Sequence, residues 1–379
     1  MGAQIAAVAL ATALAQGNAA FAAGDFGSAL TAYRASIAHD GKSFAAYFGA
    51  GQAALYANDL HSASEYLDAA QLLAPAKQVA PVKVLLAEVQ SRIRMQQAQP
   101  ISRIVSIPMT AVDPLPLFSV QVNGRQAYFM LDTGAPNLIL DPDFAKELGL
   151  KVTGGFTGTF AGGKQATVRD VLVPTFRIGS VTLHNLQSSA LPTRPIPFFG
   201  EKRVDGIIGT IFLSQFLATL DYPNARLVLR PRSASSAFER SLGPSAVTVP
   251  FWYIPDHFLL ARGSVNALND QLFLVDSGLA GGGFGPSQQT VADANIGLDE
   301  MHTGTGVGGG GAVTVIPFTL DRLCLGTACR SNIRGLYMPQ GSPLQIFPFK
   351  VAGIISHQFL EHFAWTIDFD AMRMVLQSS

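Results

Sequence analysis

Charge is scarce in this chain: 14% of its 379 residues are Asp, Glu, Lys or Arg, and 26 basic side chains are balanced by 26 acidic ones. A nucleic-acid footprint needs a basic excess on one face, so no nucleic-acid partner is expected. Hydrophobic residues make up 48%, the reverse of the composition that keeps a chain disordered. Long apolar runs are missing too. The most apolar stretch, Ile5 to Ala15, has the length of a signal-peptide core and falls well short of the roughly 20 residues that span a bilayer, so no membrane span is expected. A basic flank for such a signal is absent, because Arg34 is the first basic residue. There is no Gly-x-Ser-x-Gly elbow, and neither cysteine has a persuasive His partner, which argues against serine and cysteine hydrolases. His357 and His362 have no third ligand at metal spacing, so no metal is expected. Gly304-x-Gly306-x-x-Gly309 has the form of a dinucleotide fingerprint, yet Ala312 to Phe318 behind it reads as a strand where a helix is required.

The two cysteines, Cys324 and Cys329, flank Leu325-Gly326-Thr327-Ala328, which reads as a tight hairpin that sets them opposite each other. A cross-strand disulfide and a reduced pair are both open, and two cysteines do not fix the redox compartment.

What is present has two textures, and 379 residues suit two or three domains better than one core. From Ala11 to Pro75 the chain repeats at a spacing of 34: Gly17 with Gly51, Gly24-Asp25 with Asn58-Asp59, Ala29 with Ala63, Tyr33 with Leu67. That is the tetratricopeptide period, and the segment resembles two such helical hairpins. Small residues at Gly17, Ala29, Gly51 and Ala63 let paired helices approach, while Tyr33 and Leu67 fill the space between them. Val82, Leu85, Leu86, Val89 and Ile93 recur at helical spacing, as expected of a last helix covering the stack. Such a stack either binds a partner protein or supports the rest of the chain.

Beyond Ile101 come short apolar runs, β-branched residues and Gly or Pro punctuation, the pattern of an all-β region. Val204 to Gly209 aligns with Val351 to Ser356 at an offset of 147. The same offset carries Phe212-Leu213 onto Phe359-Leu360, Asp221 onto Asp368 and Arg226 onto Arg373. Two homologous lobes follow. Each contains an Asp delivered by an apolar run into a glycine turn: Asp132-Thr133-Gly134 behind Tyr128 to Leu131, and Asp276-Ser277-Gly278 behind Leu272 to Val275. Domains are expected at 1–100, 101–232 and 247–379, with 233–246, rich in Ser, Gly and Pro, as a linker.

With those motifs in hand, the region after residue 101 resembles an aspartic peptidase of the retropepsin-like or pepsin-like group with both lobes on one chain. The resemblance covers nearly all of that region and includes the hydrophobic-hydrophobic-Gly element of the family, Ile207-Ile208-Gly209 in lobe one. Lobe two has Ile354-Ile355 followed by Ser356, a departure that touches support of the turn. The fold implied is an all-α tetratricopeptide-like N-terminal domain plus an all-β bilobal acid-protease fold. Asp132 and Asp276 would be the catalytic pair, supported by Thr133, Gly134, Ser277 and Gly278, whose hydroxyls the resemblance implies hold the two turns together.

Two carboxyls are suited to amide hydrolysis without metal or covalent intermediate. Held close, they cannot both ionise, so one accepts a proton from water while the other donates one to the carbonyl. Ala135 and Leu279 follow the two motifs where pepsin-like members often place a hydroxyl, which predicts an optimum less acidic than pepsin's. The resemblance also implies flaps at the glycine-rich stretches 154–163 and 303–311, with Phe156, Gly158, Phe160, Gly306, Val307 and Gly308 as substrate-binding candidates. The expected activity is an aspartic endopeptidase acting on peptide or protein substrates, without cofactor and exported to the periplasm or beyond. The competing reading is a catalytically inactive peptide-binding module of the same fold on a helical interaction scaffold. Asp221 and Asp368 read as structural residues at strand ends.

Overall fold

Five helices begin the chain: α1 (Gly2–Ala22), α2 (Phe26–His39), α3 (Phe44–Tyr56), α4 (Leu60–Leu73) and α5 (Val79–Gln97). Asp25 and Asp59, one repeat apart, each accept the backbone N–H of the residue three ahead and so open α2 and α4. Caps of this kind contribute about 1 kcal/mol each. The computed structural model describes residues 2–97, 100–194, 196, 199–200, 202–255, 257–341 and 343–378. No described helix is long and apolar enough to cross a membrane.

The chain divides into two compact units. The first comprises the N-terminal helices together with Trp252–Asp256 and Phe347–Val351. Consecutive helices pack on one another, and the small residues work as their spacing predicts. A Cβ on Gly17 would sit 2.7 Å from the Tyr33 ring, and one on Gly51 would sit 2.6 Å from Leu67. Burying Leu67 alone is worth roughly 1.5–3 kcal/mol. Val82, Leu85 and Val89 of α5 are buried as the periodicity predicts, and so is Arg92, which breaks the apolar pattern. Its guanidinium lies 4.0 Å over the Tyr253 ring, donates to the Leu55 and Tyr253 carbonyls, and pairs with Glu88 at 2.6 Å. Phe349 closes an aromatic cluster with Phe21, Phe26 and Tyr56, its ring 5.1 Å from that of Phe26.

The second unit is built from strands. β1 (Val105–Pro108) comes first. Lobe one then supplies β2 (Leu117–Val122), β3 (Arg125–Leu131), β4 (Ile139–Leu140), β5 (Val152–Thr159), β6 (Gln165–Ile178), β7 (Val181–Ala190) and β8 (Gly206–Ile208). After them come β9 (Leu217–Asp221), β10 (Arg226–Arg230) and β11 (Val247–Ile254). Lobe two has β12 (Phe258–Val265), β13 (Leu268–Val275), β14 (Phe284–Pro286), β15 (Gly304–Gly308), β16 (Gly311–Leu325), β17 (Ala328–Tyr337) and β18 (Gly353–Ile355), and the chain ends in β19 (Phe363–Asp368) and β20 (Arg373–Ser378).

The two lobes have one topology. Lobe one is ordered β2-β3-β8-β4-β7-β6-β5 and lobe two β12-β13-β18-β14-β17-β16-β15, and the extra pairings β2–β6 and β12–β16 close each into a barrel. The run β1-β10-β9-β19-β20-β11 continues from β12 of lobe two and takes in β1, β9 and β10, the strands that precede and follow lobe one in the chain. At its centre Thr219 faces Thr366, residues related by the 147 offset, with their hydroxyls 2.7 Å apart. The internal repeat is therefore a pseudo-two-fold, and this pair sits beside its axis. Asp221 accepts from Asn224 and Arg226, and Asp368 accepts the N–H groups of Asp370 and Ala371; each closes the hairpin at its strand end.

In the segment 233–246, read from composition as a linker, a short helix Ser235–Arg240 forms. Phe238 explains it, being buried against Leu217 and Val375. Cys324 and Cys329 lie opposite each other in the β16–β17 hairpin and form a disulfide.

Candidate active site

Each Asp turn begins where a central barrel strand ends. β3 is hydrogen-bonded between β2 and β8, and β13 between β12 and β18. The ladder continues one residue further, with Asp132 N–H donating to the Ile208 carbonyl and Asp276 N–H to Ile355, each at 3.0 Å. The buried apolar run thus carries a charged residue to a fixed position at the barrel's end.

The two turns lock together through reciprocal hydrogen bonds. Thr133 N–H donates to Ser277 Oγ at 3.1 Å, and Ser277 N–H donates to Thr133 Oγ1 at 2.9 Å. The same hydroxyls donate onward to the carbonyls of Val275 and Leu131. Both side chains are completely buried. Behind the turns, Thr210 Oγ1 donates to the Thr133 carbonyl at 2.8 Å. Lobe two is supported differently: Ser356 Oγ accepts from Leu279 N–H at 3.0 Å and donates to the Asp276 carbonyl. The serine found where glycine is usual is therefore a brace for the second turn.

This lock sets each carboxyl against the opposite turn, close enough for Asp132 and Asp276 to interact directly. Gly134 N–H donates to Asp132 at 2.7 Å and Gly278 N–H to Asp276 at 2.8 Å. Each glycine also lies against the opposite carboxyl, so a Cβ on Gly134 would overlap Asp276 and one on Gly278 would overlap Asp132. Burial raises both carboxyls above the ordinary range, and the charge of Asp276 raises Asp132 further; the hydrogen bond with Asp132 pulls Asp276 the other way, and the glycine N–H groups pull both down. Two carboxyls that interact this strongly titrate as a pair, so no separate value belongs to either.

The hairpins β5–β6 and β15–β16 meet at their tips. The Phe160 ring lies against the Gly309 backbone and Gly308 lies beside Ala161, so Phe160 and Gly308 are brought together. Phe160 also packs on the lobe-one cluster that includes Met130, Ala135 and Ile207. Gly158 lies beside the Phe160 ring and Gly306 beside Val315. Phe156 and Val307 point outward, at 61% and 41% exposure.

One residue at the site escapes sequence reasoning. His257 is buried, and its Nε2 lies 2.8 Å from the carbonyl of Gly134, inside the first Asp turn. Burial pushes its pKa down to about 4 against the opposing hydrogen bond, so the ring is neutral above that pH and Nε2–H is the donor. Its partner is a backbone atom 123 residues away, which no motif marks. His257→Leu keeps the bulk and removes the donor; it is expected to lower kcat roughly tenfold, the worth of one buried hydrogen bond, with little change in KM. A kcat equal to wild type shows that the bond does not position the turn.

Residues 118–212, which contain both the first Asp turn and Ile207-Ile208-Gly209, match the family model described as aspartyl protease. A comparison with curated proteins finds no match. Among solved structures the chain is similar to a retropepsin-like aspartic protease from Rickettsia conorii, at 21% identity over 33% of this chain and 90% of that chain, with a TM-score of 0.25, too low to bear on the fold. The family match and the paired turns support an aspartic peptidase, and the architecture is an N-terminal helical region followed by a bilobal acid-protease fold.

Proposed function

We propose that the chain is an aspartic endopeptidase in which Asp132 and Asp276 activate water between them. The observation that carries this reading is the pair of half-buried carboxyls set against each other's turns, each delivered by one copy of a repeat. In the singly protonated pair, the ionised carboxyl takes a proton from water as its oxygen attacks the peptide carbonyl, and the protonated carboxyl gives its proton to the carbonyl oxygen. The tetrahedral diol then collapses: the carboxyl that gained a proton passes it to the amide nitrogen, the C–N bond breaks, and the other carboxyl recovers a proton from the diol. Net, one water is consumed and one proton stays on the pair.

An extended peptide would lie beneath the two hairpins, whose glycine-rich strands offer backbone N–H and C=O groups to it. Their touching tips must part for a chain to enter, which suits cleavage within unfolded or extended segments. The helical unit, tetratricopeptide-like in its spacing, would offer a surface for a protein partner. The disulfide favours an exported protein, since such bonds persist in oxidising compartments.

Incubation with an unfolded protein substrate across pH tests the activity. Cleavage is expected, together with inhibition by peptides carrying a hydroxyl group in place of the scissile carbonyl. Because burial raises both carboxyls and the charge of Asp276 raises Asp132 further, a shared proton would survive to higher pH than a free carboxyl holds it, and no hydroxyl at Ala135 or Leu279 offsets this. The alkaline limb of kcat/KM should therefore lie above the ordinary carboxylate range, with a mildly acidic optimum. A rate maximum near pH 2, as in the most acid-adapted dyads, contradicts the assignment.

A further inference from the structure

A second cluster of chemically capable side chains lies outside the dyad. β18 runs into a short helix, His357–Leu360, and Glu361 lies four positions after His357, so both project on one side. The structure brings a third residue to them from lobe one: Asp113. His357 Nε2 lies 3.0 Å from Asp113 Oδ1 and 3.3 Å from Glu361 Oε2, and the three ligand atoms fall within 4.8 Å of one another. Ligand atoms around a tetrahedral Zn²⁺ stand about 3.3 Å apart, given bonds of about 2.0–2.1 Å. Asp113 comes from 244 positions away, so the search for a third ligand near His357 and His362 in sequence could not find it.

The cluster has a closed side and an open side. His357 is enclosed with its Nδ1 unpartnered, which leaves Nε2 as the nitrogen facing the carboxylates, while Asp113 is 75% exposed. Tyr222 completes the wall. It is 4% exposed, its hydroxyl has no partner, and its ring meets that of His357 edge-on at 5.5 Å.

The repeat shows that the fold does not require this cluster. At the 147 offset, Thr210 and Ser214 hold the lobe-one positions of His357 and Glu361, and there both hydroxyls are spent on backbone carbonyls. The same element forms without charge.

We propose that Asp113, His357 and Glu361 bind one divalent first-row cation of the Zn²⁺ type, with the Tyr222 ring walling the buried side of His357. A neutral imidazole and two carboxylates balance a 2+ charge and match the nitrogen–oxygen preference of such ions. The ion would tie the segment before β2 to the helix after β18. Ser356, which braces the Asp276 turn, is the residue just before His357. The site is independent of whether the dyad is active.

Tag-free full-length protein, stripped with chelator and dialysed against ZnCl₂, tests this. One Zn²⁺ retained per chain is expected, with a melting temperature raised by several degrees at saturating metal. Asp113→Asn changes a surface group and leaves the core intact; it should bind at least about tenfold more weakly, as should Glu361→Gln. His362→Gln and Asp132→Asn should bind as wild type does. No stoichiometric Zn²⁺ on the wild type, unchanged affinity in Asp113→Asn and Glu361→Gln, or loss on His362→Gln or Asp132→Asn alone overturns the proposal.

Discussion

Asp132→Asn and Asp276→Asn are each expected to lower kcat by roughly 10³-fold or more, at the upper end of what general acid–base groups contribute. Neither carboxyl can substitute for the other, because one must be ionised while its neighbour keeps the proton. The double variant should therefore be no slower than either single one, as holds for residues that act as a unit. Peptide binding should survive, since the hairpins and turns remain. The same variants carry a stability signature of opposite sign. Both carboxyls are raised in the folded chain, so their contribution is fully present below the ordinary carboxylate range and is lost as pH rises through the folded value. Asp132→Asn removes that titration, and its melting temperature should exceed that of wild type near neutral pH and converge with it in acid. Turnover above a few per cent of wild type in either single variant ends the catalytic assignment. Equal melting temperatures at every pH would show instead that the pair is not raised.

Thr133→Val should be the most damaging substitution that leaves every charge in place. Valine matches threonine in shape, so packing is kept and only Oγ1 is lost. Ser277 N–H then has no acceptor and the Val275 carbonyl no donor, both fully buried. Leaving such groups unsatisfied costs about 1–3 kcal/mol each, and a total loss of about 2–4 kcal/mol is expected in denaturant unfolding. Activity should fall further than stability alone explains, because the turns hold the carboxyls at their separation. Ser277→Ala should show a milder version, since its onward bond to Leu131 is the longer at 3.4 Å. A loss under about 0.5 kcal/mol in Thr133→Val would mean that the lobes are registered by the joining sheet, through Thr219 and Thr366, and not by the turns.

The parts of this molecule legible in sequence are those whose signal is local or repeated. Apolar runs ending in Asp marked both strand ends, and the 147 offset paired Asp221 with Asp368, though it did not show that the neighbouring Thr219 and Thr366 touch. The 34-residue spacing located Gly17 and Gly51 against Tyr33 and Leu67. What stayed hidden is long-range or contrary to pattern. His257 acts on a backbone carbonyl, Asp113 reaches His357 across most of the β region, and Arg92 occupies an apolar face because its guanidinium finds carbonyls and a ring there. The helix at Ser235–Arg240 hides in Ser- and Pro-rich composition, since a single buried Phe238 suffices to hold it.

The helical unit is discontinuous along the chain, and this bears on its birth. Tyr253 meets Arg92 only once residue 253 has left the ribosome, and Phe349 joins Phe21, Phe26 and Tyr56 nearly a hundred residues later still. Nascent chains usually complete domains in order of emergence, N-terminal first. Here the helices before residue 98 must wait for Trp252–Asp256 and Phe347–Val351 before their core is whole, so a chain cut short before Phe349 leaves those helices unfinished.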